Sequence, residues 1–104
     1  MENPEYTERQ INAALNEQSS LDISVRWDGD YPASEEDAVF DVYFEGENTN
    51  YVLWDKGSDI DVVECIGNQT YSMIDGSHSH DLVAGILISL IKEDLAAGKL
   101  GEEA

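Results

Sequence analysis

The stretch Leu82–Ile91, reading LVAGILISLI, constrains the fold more than any other part of the chain. It is almost free of polar groups, yet at about ten residues it falls well short of the ~20 that cross a bilayer. It therefore reads as a core helix. With each residue placed about 100° after the last, Leu82, Ile86, Leu90, Val83, Leu87 and Ile91 fill one broad side. Ala84, Leu95 and Ile88 widen it, and Asp94 is the one polar residue within the arc. That arc spans roughly 240°, against the ~100° stripe that packs on a sheet. Such a helix needs two covers. The first is a sheet; the second is another helix of the same chain or, in a homodimer through this C-terminal helix, another subunit.

The sheet is written in short alternating segments. In LDISVRW (21–27), Leu21, Ile23, Val25 and Trp27 face one way and Asp22, Ser24 and Arg26 the other, the pattern of a half-buried strand. VFDVYFE (39–45) repeats it with Phe40, Val42 and Phe44 inward. YVLWD (51–55), IDVVECI (60–66) and TYSMI (70–74) follow, with GENTN, KGSD and GNQ as turns and a longer polar loop after Trp27. Strands joined this way form an antiparallel meander. At the N-terminus, Asn3 and Pro4 suit an N-cap and first helical position, and Thr7 with Gln10 offers a second start. Ile11, Ala14 and Leu15 make a narrow apolar stripe ending near Gln18. The expectation is one α+β domain over 1–104: an N-terminal helix, a meander of about five strands, and a C-terminal helix packed on one sheet face. Residues 98–104 read as a frayed acidic tail.

Charge narrows the partners. The chain carries 23 acids against 5 bases, a formal net charge of −18, while its 41% hydrophobic content is that of a folded protein. Such a surface repels nucleic acid and anionic membrane and attracts basic proteins. The acids crowd between Asp28 and Glu64, where Lys56 alone opposes them. The carboxylates expected to face a partner are Asp28, Asp30, Glu35, Glu36, Asp37, Asp41, Glu45 and Asp61. Cys65 has no second cysteine to bridge to, and its apolar strand suggests a small buried hydrophobe. The start, MENPEYTERQ, has neither the basic residues nor the apolar run of a secretion signal, so a cytoplasmic location is expected. On that basis NQT (68–70) reads as a turn and not as a glycosylation acceptor.

Three stretches could carry chemistry. DGSHSHD (75–81) brings together Asp75, His78, His80 and Asp81, which are metal-ligand types. The same residues suit the entry to a helix: Ser77 or Ser79 as N-cap, and Asp81 in the first turn against the helix dipole. The capping reading is preferred, with no metal. DGDYPASEED (28–37) alternates Asp28 and Asp30 as a calcium loop would. The sixth position is Ala33 instead of Gly and the twelfth is Val39 instead of Glu, so the match fails. Cys65 with His78 or His80, or a carboxylate pair, could be arranged for hydrolysis, but with 23 acids such pairs arise by chance everywhere and point to no site. Phosphate-binding loops and basic nucleic-acid footprints are absent from the sequence. No enzyme activity and no cofactor are expected. Trp27, Tyr31, Tyr43, Tyr51 and Trp54 are core candidates, some of them suited to a protein-binding sheet face among carboxylates.

Two functional classes remain. The first is an acidic binding module whose carboxylates take the place of nucleic-acid phosphates in the basic groove of a nucleic-acid-binding protein. A small helix–meander–helix domain of high acid content resembles DNA mimics of the phage type and toxin-neutralising immunity proteins. The similarity is one of composition and element order, without a shared motif. The second class is a protein adapted to high salt, whose acids serve solvation alone. An acidic secretion-type chaperone, dimeric through its apolar helix, is a third option.

Overall fold

The computed structural model describes residues 4–28, 38–56, 59–66, 70–77 and 79–98, with Pro4, Ile66 and residues 70–77 described by backbone. Its elements are α1 (Pro4–Gln18), β1 (Ile23–Trp27), β2 (Ala38–Phe44), β3 (Glu47–Asp55), β4 (Ile60–Ile66), β5 (Thr70–Ser77) and α2 (His80–Ala96). β1 to β4 form an antiparallel sheet of consecutive neighbours, and the backbone of β5 pairs antiparallel beyond β4. This is the expected α+β meander between two helices.

One core lies between a single face of the sheet and both helices. Ile23, Val25, Phe40, Val42, Phe44, Leu53 and Val62 of the strands meet Ile11 and Leu15 of α1 and Val83, Leu87 and Ile91 of α2. α1 packs on β1 and on α2, while α2 packs on β4 and β5. α1 starts at Pro4, where a missing N–H costs nothing. Thr7, expected as a second helix start, instead lies wholly buried within α1.

Two stretches differ from the sequence expectation. GENTN is not a five-residue turn. Glu45 and Gly46 alone reverse the chain, at φ 55° and 83°, and β3 begins at Glu47. Two successive left-handed residues are what a type I′ two-residue hairpin requires, and Gly46 supplies the second without strain. The last strand was expected to end at Ile74, but β5 runs on to Ser77, and Asp75 and Gly76 are paired strand residues, with Val62 opposite Asp75 and Asp61 opposite Gly76. The β4–β5 register slips between Val62 and Val63, and a glycine within a strand is at home beside such an irregularity.

α2 is capped by Ser79, whose Oγ accepts the Leu82 N–H at 3.3 Å, with Asp81 in the first turn. Its fully covered stripe is Val83, Ala84, Leu87, Ile88 and Ile91. Gln18 of α1 donates its side-chain amide to the Asp81 carbonyl at 3.0 Å. A β-carbon on Gly85 would sit 3.4 Å from the Gln18 Oε1. The Asp81–Gly85–Ile88 side of α2 therefore faces α1, and Ile88 is 7% exposed within the single chain. The second cover demanded by that edge is α1. The opposite edge is less covered: Ile86 and Leu90 are partly buried, and Leu82 is 62% exposed. Asp94, the polar residue in the apolar arc, accepts the Tyr51 phenol at 2.7 Å. Burial first, then the hydrogen bond and charge of Asp94, push the Tyr51 pKa above its ordinary value.

α1 also closes the free edge of the sheet. The side chain of Asn12 makes a two-point contact with Val25 of the outermost strand. Its Nδ2 donates to the Val25 carbonyl at 3.0 Å, and its Oδ1 accepts the Val25 N–H at 2.8 Å. Glu8 Oε2 accepts the Trp27 N–H at 3.0 Å. An edge strand whose N–H and C=O groups are taken by a helix offers fewer to another chain.

Candidate functional site

Because both helices occupy one face, the other face of the sheet carries the second half of every alternation. β1 contributes Ser24 and Arg26, with Asp28 just beyond. β2 contributes Val39, Asp41 and Tyr43, β3 contributes Val52 and Trp54, and β4 contributes Asp61, Val63 and Cys65. The register sets them side by side: Arg26 against Asp41, Asp41 against Val52, Val39 against Trp54, Val52 against Val63, and Trp54 against Asp61.

A cleft of about 310 Å³ lies in this face. Val39, Val52 and Trp54 give it an apolar side, and Asp28 and Asp41 an acidic one. Asn48, Thr49, Asn50 and Cys65 complete the lining. The cleft adjoins an irregularity in the sheet. The β2–β3 register slips between Asp41 and Tyr43. There the Thr49 hydroxyl donates to the Val42 carbonyl at 2.9 Å and accepts the Tyr51 N–H at 3.1 Å. A side chain thus satisfies backbone groups where the ladder is broken, and such irregularities bend a strand and re-aim its side chains.

Asp41 is the electrostatic centre of the cleft. Its pKa is raised, first by burial and second by the neighbouring charge of Asp28; the Arg26 guanidinium works the other way and does not outweigh them. Arg26 also lies over the Tyr43 ring, 5.5 Å from its centroid.

The expected partner-facing acids divide accordingly. Asp28 and Asp41 meet in the cleft. Asp61 lies on the same face but is 8% exposed and pairs with Lys56 Nζ at 2.9 Å, so its charge is largely answered within the chain. Glu45 occupies the β2–β3 turn, exposed and outside the cleft lining. Asp30, Glu35, Glu36 and Asp37 lie outside the described residues. Cys65, expected as a buried hydrophobe, is half-exposed, because its strand parity places it with Asp61 and Val63 on the open face. Trp54, one of the aromatics expected either in the core or on a sheet face among carboxylates, lies on that face, whereas the 48–50 segment was not foreseen as lining. Trp54 carried a usable signal, the alternation against inward Leu53; the Asn48–Asn50 wall depends on the register slip and carried none.

Of the DGSHSHD residues, Ser79 is the cap, and the His80 ring meets Tyr6 edge-on at 6.3 Å between centroids. His78 lies outside the described residues. Among the described residues, no three His, Cys, Asp or Glu side chains are grouped to hold a metal ion. No described helix is long and apolar enough to cross a membrane. No protein-family model, curated protein or solved structure matches the chain.

Proposed function

We propose that this protein is a non-enzymatic acidic binding module that docks its open sheet face on a basic surface of a partner protein. The observation that carries the reading is the placement of both helices on one side. It leaves a sheet face, with a cleft and acidic side chains, free of covering elements among the described residues. A nucleic-acid-binding protein is the fitting partner class, since its basic groove is built for regularly spaced anions. The domain then acts as a nucleic-acid mimic or an immunity-type inhibitor, with electrostatics setting on-rate and specificity.

A second reading has its own observation. Acids also stand on the helices, including Glu5 and Glu17 on α1 and Glu93 on α2, all exposed. In a high-salt protein they would serve solvation. The two readings part on the salt the fold requires. A docking module must be folded at about 0.1 M salt, where charges are screened over ~10 Å. Circular dichroism in NaCl tests this: the docking reading expects a folded domain with a cooperative melt at that salt. A chain that folds only near molar salt would remove it.

A further inference from the structure

We propose that the cleft on the open sheet face receives the guanidinium of an arginine side chain from the basic partner. The inference rests on the docking reading above and names what enters the surface.

The lining has two chemically distinct sides. Asp28 and Asp41 supply carboxylate oxygens, and a planar guanidinium donates to carboxylates in a two-pronged geometry that an ammonium cannot reproduce. Trp54 supplies an indole, the best aromatic partner for a cation, and Val39 and Val52 supply apolar surface for a methylene stem. The volume, about 310 Å³, stands at the small end of ligand pockets and suits one long side chain better than a strand or helix. An anion is excluded by the carboxylates. The internal cation, Arg26, is held over Tyr43 and leaves the Asp41 carboxyl harder to ionise than an ordinary aspartate. A second guanidinium would bring further positive charge to a cleft lined by two carboxylates.

The test uses the intact chain, labelled for amide NMR, and three capped short peptides differing at one position: arginine, its uncharged isostere citrulline, and lysine. The arginine peptide is expected to shift the Trp54 indole N–H and the amides of Val39, Asp41 and Val52, with weak, millimolar-range affinity. Citrulline is expected to bind about tenfold more weakly or worse, as loss of a charge-assisted hydrogen bond implies, and lysine to fall between. Asp41→Asn should weaken the arginine peptide by a similar factor, whereas Glu17→Gln on α1, an equal change of charge, should not. Equal binding of arginine and citrulline overturns the proposal without needing any variant. So do shifts spread over the acidic surface without focus on the cleft, or no shifts in the millimolar range. A longer polylysine peptide separates the two failures. If it still perturbs the open face while arginine ignores the cleft, only the cleft assignment falls. If it perturbs the helical side equally, or nothing, the docking reading falls with it.

Discussion

The surroundings of Asp41 disfavour its charged form. Burial and Asp28 raise its pKa, so between the ordinary aspartate value of about 3.9 and the raised value the folded chain binds the proton more tightly than the unfolded one. The stability this carboxyl contributes is therefore complete below the ordinary value and is lost as pH rises through the folded one. Asp41→Asn should melt higher than the native chain at neutral pH, and the gap should close in acid, near about pH 3. Thermal midpoints at the two pH values check this; a native chain that is the more stable at neutral pH would contradict it. The parity of β2 placed Asp41 outward in the sequence, opposite Phe40 and Val42. Its raised pKa could not be read there, because it depends first on burial and then on Asp28, both of which the fold decides. Asp94 shows the same limit: its position in the apolar arc was visible, and its partner Tyr51, on a strand far away in the chain, was not.

At the scale of elements, the sequence showed what alternation and helical period control. The strands, the Pro4 start of α1 and the Ser79 cap of α2 are local matters, written in neighbouring residues. Glu45-Gly46 was hidden because a left-handed glutamate is uncommon and lacks the usual Asn-Gly signature. The contact of Asn12 with Val25 was hidden because it joins a helix side chain to a strand backbone. Replacing Asn12 by Ala removes two hydrogen bonds at the sheet edge and should destabilise the domain by about 1–3 kcal/mol. Urea unfolding measures it, and an unchanged midpoint would show the edge to be satisfied otherwise. Ile88 answers the question posed by the wide apolar arc. It is buried on the side of α2 that faces α1, so Ile88→Asp would bury a carboxylate in the core and should cost more than about 4 kcal/mol, enough to unfold a small domain. Circular dichroism should show lost structure; a folded variant of unchanged mass in sedimentation would refute the packing described for that edge.

Over the whole molecule, the arrangement separates two jobs. The helices and the inward half of each strand make the core, and among the described residues the outward half of each strand is left uncovered; on the proposed reading, that half meets a partner. The charge of −18 acts over the entire surface, so net charge alone does not distinguish a docking face from general solvation. Position does. The most direct measurement is capture of basic proteins from host lysate at about 0.1 M salt, where screening is moderate, by two variants of equal net charge. One carries Asp28→Asn with Asp41→Asn on the open face, and the other Glu17→Gln with Glu93→Gln on the helices. The docking account predicts a basic partner retained by the native chain and the helix variant, lost from the open-face variant, and released from all in molar salt. Equal retention by both variants, or equal loss from both, would contradict it.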